Sequence, residues 1–266
     1  ADIAAGLLVA EDQRAPASAG SAAGSPHQQE QQPAVADRDL PGVKGRRIGL
    51  AAAVGSGGAG LVGALCALNL LDHAERTVII VLGPDIQRSL GFSDAALGGI
   101  VGLSAVVLTL GAIPIGLLAD RRRRTVLAAA AATVAGVFSA LSALVTSTFQ
   151  LVLTRIGSGF GQAAVLPVHN SLLTDGYPLN SRASVLGAHN LAGPVGVLIA
   201  PVAAGGVAAL AGGSSGWRWA YAVFGFVLVA VGLLAFRLRE PARGLGEREA
   251  VLGPEAARLA MEADLA

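Results

Sequence analysis

Charge is scarce in this chain and cysteine almost absent. Charged residues make up 14% of the 266 positions, against roughly a quarter in soluble proteins of ordinary composition. Apolar residues reach 53%. The single cysteine, Cys66, excludes an intrachain disulfide framework. A formal net charge of +1 gives no electrostatic reason to expect nucleic acid as a partner. Strict alternation of apolar and polar residues is also missing, which argues against a membrane barrel. No metal-ligand spacing, nucleotide loop or catalytic nucleophile set is visible, so the sequence predicts no enzyme, no metal and no cofactor.

What the chain does have is long apolar stretches, such as Thr125 to Val145 and Tyr221 to Phe236. Crossing a hydrocarbon core takes roughly 20 apolar residues in a helix rising about 1.5 Å per residue. Lipid offers the backbone no hydrogen-bond partner, so each crossing has to be helical. The expected fold is therefore all-α: a polytopic membrane bundle of six spans, at about Leu61 to Leu82, Leu97 to Leu118, Thr125 to Val145, Phe149 to Leu172, Ala183 to Ala211 and Trp217 to Phe236. Ser93 is placed to cap the second span, the stretch Gly83 to Asp94 reads as a loop, and Pro194 and Pro201 are expected to kink the fifth span.

Outside the bundle, 48–243, two terminal segments are expected. Ala1 to Gln13 reads as the end of an amphipathic helix rather than a signal peptide. Arg14 to Ala36 is too poor in bulky apolar side chains to offset its ordering entropy, so 1–47 is expected to be a cytoplasmic segment and linker. The tail 244–266 alternates charge with alanine and is not a seventh span. The missing initiator Met suggests one part of a longer polypeptide. All but one of the basic residues are arginine, with alanine and glycine in excess, which points to a GC-rich bacterial genome.

Orientation follows from the arginines and lysine of the short loops. Lys44, Arg46 and Arg47, the run Arg121 to Arg124, Arg182, and Arg237, Arg239 and Arg243 fall on one side, against Arg88 and Arg218 on the other. The expectation is a multi-pass protein of the bacterial cytoplasmic membrane with both ends cytoplasmic.

A charged side chain at the centre of a span costs about 2.5–3.5 kcal/mol on insertion scales, so each one needs a reason. In the first span Asn69, Asp72, His73 and Arg76 follow the spacing i, i+3, i+4, i+7 and share one face, with Glu75 directed elsewhere. In the fourth, Arg155, Gln162 and His169 recur at seven-residue intervals, a drift of only about 20° per step, and Gly159 on that face permits a close approach. The fifth adds His189 and Asn190. These stripes are expected to line a water-filled path, the alternatives being an internal Asp72–Arg76 ion pair and packing roles for Arg155 and each histidine. Asp120 beside the arginines suggests a latch between helices, formed in one conformation and broken in another.

Gly116-Leu117-Leu118-Ala119-Asp120-Arg121-Arg122-Arg123-Arg124 resembles the signature loop between helices two and three of the major facilitator superfamily. Gly116, Asp120, Arg121 and Arg124 match the pattern, and Arg123 stands at its usual last glycine. Arg155 to Gln162 resembles the family's helix-four motif, whose arginine is associated with proton or substrate coupling. Asn69 to Asp72, Pro84 to Gln87, Trp217 to Trp219 and Arg239 to Pro241 are similar to the spinster-like branch. That branch commonly has glutamate at the position of Gln162, and its adjacent Asp-Arg pair corresponds either to Asp72-His73 or to Glu75-Arg76. Gly193-Pro194 is weakly similar to the antiporter motif of helix five.

The resemblance implies a half built from two inverted three-helix repeats, with helices one and four facing the central cavity. It also implies a secondary transporter of a small or amphipathic, lipid-like solute, a carboxy-terminal six-helix half as partner, a substrate cavity at the two stripes, and a cytoplasmic gate at Gly116, Asp120, Arg121 and Arg124. A membrane anchor for a larger protein and a homodimeric six-helix transporter are the rival readings.

Overall fold

The computed structural model describes residues 58–244 and a few positions of the tail beyond them (247, 251–253, 255, 256 and 259). The expected segment and linker of 1–47, with Lys44, Arg46 and Arg47, lie outside the described residues, as does most of 244–266. Between 58 and 244 every regular element is helical.

Six spans follow in order. The first is Ala59–Val81, the second Asp94–Arg121 and the third Arg124–Ser142. The fourth runs from Thr148 through Gln162, a π turn at Val165–His169 and a last segment to Gly176; the fifth is Leu179–Ala211 and the sixth Gly216–Ala235. All but the first are long and apolar enough to cross a bilayer by composition. The first has 23 residues, about 35 Å of helix, and its lower hydropathy is due to Asp72, Glu75 and Arg76.

The ends obey local chemistry. The Ser93 hydroxyl accepts the Ala96 N–H at 3.3 Å and so caps the second span, and Ser147 does the same for the fourth through Gln150. Gly83–Leu90, expected to be a loop, is a short helix. Pro84 in its first turn, Asp85 near its N-terminus, Arg88 near its C-terminus and the left-handed Gly91 that ends it (φ 72°) are start and stop signals that outweigh its few apolar residues. The fifth span stays helical through Pro194 and Pro201.

The packing is two-fold in pattern. The third span packs most extensively on the sixth, the first on the fifth and the fourth on the third, while the fourth also meets the second and the sixth also meets the fifth and the first. Exchanging spans one, two and three for four, five and six maps third–sixth onto itself, first–fifth onto second–fourth and third–fourth onto first–sixth, as two inverted three-helix repeats require; the fifth–sixth contact has only a slight counterpart between the second and third. Small residues let the axes approach. A Cβ on Gly136 of the third span would lie 2.7 Å from the Val229 amide nitrogen of the sixth, and one on Gly225 would lie 2.7 Å from the Gly136 carbonyl oxygen. Because backbone cannot yield as a side chain can, Gly225→Val is expected to cost about 3 kcal/mol, the upper part of the overpacking range. Reversible unfolding in micelles would measure it, and an unchanged midpoint would refute this crossing.

Two apolar clusters form the core. Leu65, Leu68, Val168, Leu172 and Val185 belong to one, and Val78, Ile79, Leu151, Trp217 and Tyr221 to the other. Glu75 and Arg155 lie beside the second cluster, toward the Val81 end of the first span and the Thr148 end of the fourth, whereas His169 lies beside the first cluster. The second and fifth spans leave wide apolar faces uncovered, for example Leu110, Ile113 and Leu117, and Leu198 and Val202.

Candidate functional site

Glu75 is fully buried, contrary to the expectation that it points away from the polar face. It sits about 60° from Asp72 around the helix, and the first span is turned so that Asn69, Asp72 and Glu75 are buried while His73 and Arg76 stay partly open. The i, i+3, i+4, i+7 stripe was centred too far toward Arg76. A carboxylate at zero exposure needs donors, and the fourth span supplies them. Arg155 Nη1 donates to Glu75 Oε1 at 2.6 Å and Gln162 Nε2 to Oε2 at 2.7 Å, with Ser158 Oγ 3.4 Å from Oε2. Arg155 Nη2 reaches Ser142 Oγ of the third span at 2.7 Å, and its guanidinium stacks over the Tyr221 ring of the sixth, 4.6 Å from the centroid.

A cavity of about 190 Å³ opens beside this cluster, between the first, second and fourth spans. Glu75, Arg76, Arg155 and Gln162 form its polar wall; Ile79, Val101 and Leu108 are among its apolar lining. Arg76 is tied to Asp72 one turn back along its own helix. Two carboxylates and two guanidiniums therefore pair within the spans, leaving the local charge balanced and the polar heads beside an apolar wall.

The remaining sequence-derived residues are dispersed. Asp72, Gln162 and His169 border a separate crevice of about 10 Å³. Asn69 Nδ2 donates to the His189 carbonyl oxygen at 2.7 Å, joining the first span to the fifth. His73 lies against Gly193, where a Cβ would come 3.0 Å from its ring, and its Nδ1 is 3.0 Å from the Asn69 carbonyl oxygen. Gly159 meets the Ser104 carbonyl oxygen of the second span, a Cβ there coming to 3.0 Å. Pro194 is exposed next to Gly193.

At the arginine-rich end, Asp120 and Arg121 are exposed, Gly116 faces Pro167 of the fourth span, and Arg124 is buried. Arg124 donates to Glu240 Oε1 (2.9 Å), Asp175 Oδ2 (2.5 Å), Ser171 Oγ (2.7 Å) and the Pro241 carbonyl oxygen (3.1 Å). Glu240 also accepts the amide N–H groups of Arg124 and Thr125 at 3.2 and 2.8 Å, which are free donors at the start of the third span. Arg243 donates to the carbonyls of Ala119, Asp120 and Arg122, closing the end of the second span. The charge cluster of this end is built on buried Arg124 rather than on the exposed Asp120, and its half-buried partners Asp175 and Glu240 lie 51 and 116 residues away, which no local spacing indicates. Arg122 and Arg123 are both extended, with φ −125° and −67°, so Arg123 needs no glycine-like conformation.

Burial by itself would raise the Glu240 carboxyl, but the hydrogen bonds from Thr125 and Arg124 outweigh it and hold it below the ordinary glutamate value. A lowered folded-state value means that this stabilisation is complete above the usual range, about 4.3, and is lost as pH falls through the lowered value. Melting temperature measured against pH should therefore drop in that acid window, and Glu240→Gln should flatten the drop; an equally steep loss in the variant would contradict the assignment.

The model of the Major Facilitator Superfamily matches residues 65–260. Human protein spinster homolog 1 is 30% identical over 197 residues, which cover 73% of this chain and 37% of that protein. A probable L-galactonate transporter of Escherichia coli is 25% identical over 174 residues, covering 64% of this chain and 38% of that one. The crystal structure of a bacterial homologue of the human lysosomal transporter spinster, inward-facing and occupied, superimposes with a TM-score of 0.64 at 28% identity, covering 70% of this chain and 45% of the other. The chain spans less than half the length of each of these relatives.

Proposed function

The chain belongs to the major facilitator superfamily, and from that membership we propose that it forms the amino-terminal half of a secondary active transporter, which moves a small or amphipathic solute by alternating access. The observation that carries this reading is the Glu75–Arg155–Gln162 cluster on the wall of the cavity between the first, second and fourth spans. A fully buried ion pair in a span is costly unless the site is used, and here it borders open space. The cavity holds about 190 Å³, less than the roughly 300–1,000 Å³ of an ordinary small-molecule site. In this reading a carboxy-terminal half, facing the same space, supplies the rest. The solute's polar end meets Arg76, Arg155 and Gln162, and its apolar body meets Ile79, Val101 and Leu108. A sugar acid of the kind named for the Escherichia coli relative and a lipid-like solute both have such a polar end.

In the same reading the arginine-rich end faces the cytoplasm of a bacterium, supported by the asymmetry of the short loops, and the Arg124 latch ties the cytoplasmic ends of spans three, four and six. Uptake by proteoliposomes holding this chain with its carboxy-terminal half tests the proposal. Arg155→Ala, still inserted in the membrane, should abolish uptake of the transported solute. Unchanged uptake would favour the reading of these helices as an anchor.

A further inference from the structure

Away from the cavity, two imidazoles meet in the interior. His169 lies in the π turn of the fourth span and His189 on the fifth, 2% and 3% exposed. Their rings stand edge to face with centroids 5.3 Å apart, and His169 Nδ1 is 3.2 Å from His189 Nε2. At that separation one ring's N–H donates to the other's bare nitrogen, since a neutral imidazole carries one proton. The outer nitrogen of His189, Nδ1, is buried and has no hydrogen-bond partner among the described residues. Two buried imidazoles with an unsatisfied nitrogen are a poor way to fill space, because apolar side chains would do so without the desolvation cost.

We propose that His169 and His189 form a proton-binding pair that takes up one proton, shares it between the rings and hands it on across the interface of the fourth and fifth spans. The step balances in protons alone. With His189 Nε2–H donating to His169 Nδ1, a proton adds at His189 Nδ1 and the bridging proton passes to His169 Nδ1. The proton on His169 Nε2 then leaves. One proton has crossed, both rings are neutral again, each has changed tautomer, and nothing is oxidised or reduced.

The surroundings suit this use. From the first span, Asp72 borders the same crevice as His169, a space of about 10 Å³ that admits roughly one water, and His73 packs on Gly193, one turn along the fifth span from His189. Arg76, the other charge on that helix face, is held by Asp72. The third and sixth spans present only alanines and Leu228 to the crevice, and the fourth adds Gln162, which does not titrate. Asp72, already paired with Arg76, is the carboxylate on that crevice among the described residues, so a proton taken up by the rings is held by being shared between them. The inference goes beyond the transport reading, and its test requires no transport, so either can fail without the other.

The test is 15N spectroscopy of the full chain, labelled at histidine and embedded in lipid nanodiscs, across about pH 5 to 8, where imidazoles ordinarily titrate. Coupling across the N–H···N bond identifies the pair among the four histidines without any substitution. Both rings should respond to pH together through one transition, and in His189→Gln that transition should be lost from His169. Ring shifts that stay fixed in one tautomer throughout, or titration of one ring while the other is silent, would overturn the proposal.

Discussion

Removing the Arg155 guanidinium is expected to destabilise the bundle by about 3–5 kcal/mol, the usual cost of leaving the partner of a buried ion pair alone. Glu75 would keep only Gln162 and Ser158 as donors, at zero exposure, and Tyr221 would lose the cation over its ring. Glu75→Gln should cost a comparable amount by stranding the guanidinium. In the double variant neither charge remains, so the two penalties should fail to add by about 0.5–3 kcal/mol, the range for directly contacting residues. A cycle of four unfolding measurements in the same micelles reads this coupling. Additivity within error would mean that the 2.6 Å contact contributes nothing, and the cavity would lose its organising pair.

Arg124→Ala is expected to have the next largest effect, about 2–4 kcal/mol. Its guanidinium is 3% exposed and binds two carboxylates at once. Asp175 and Glu240 retain some contact with solvent, at 13% and 22% exposure, so their stranding costs less than that of Glu75. Arg124→Lys should recover little of the loss. A lysine ammonium cannot reproduce a planar fork that reaches Asp175, Ser171, Glu240 and the Pro241 carbonyl together. Full rescue by lysine, seen as a restored melting temperature, would show that charge alone matters at this end and that the fork geometry is incidental.

Hydropathy was enough to read five of the spans, because without the alternation of a barrel an apolar stretch in lipid has to be helical; the first carries its charges within an apolar frame. Each span lies within a few residues of its expected place, and Ser93 caps the second as its position suggested. The short helix Gly83–Leu90 is too polar to show in hydropathy; Pro84, Asp85 and Gly91 are its signals. The π turn at Val165–His169 has no comparable mark beyond Pro167. Which polar residues face inward was less legible. A helical wheel gives angles between residues and not the rotation of the helix in its bundle, so the spacing from Asn69 to Arg76 does not reveal that Glu75, just outside it, is the residue that meets Arg155 and Gln162. Of the two correspondences left open for the family's acidic-arginine pair, Glu75-Arg76 is the one on the cavity wall.

Long-range partners were beyond local patterns altogether. The arginine run showed its sidedness in the sequence, yet only folding brings Glu240 and Asp175 to Arg124 and turns Arg243 onto the second span's carbonyls. The two histidines are likewise 20 residues apart, on different helices. Each alone fits a polar stripe or a packing role; their meeting is a property of the fold.

Thiol labelling from each face of a sealed vesicle tests the central claim most directly. In a Cys66→Ser background, single cysteines at the exposed loop positions Ser93, Arg122, Ser147 and Ser214 and at the cavity position Ser104 would be probed with a membrane-impermeant reagent. Six crossings around an aqueous pocket require Ser93, Ser147 and Ser214 to react from one face, Arg122 from the other, and Ser104 to react although it lies within a span. Reaction of Ser93 and Arg122 from the same face, or a Ser104 site as inert as one turned to lipid, would contradict both the topology and the pocket.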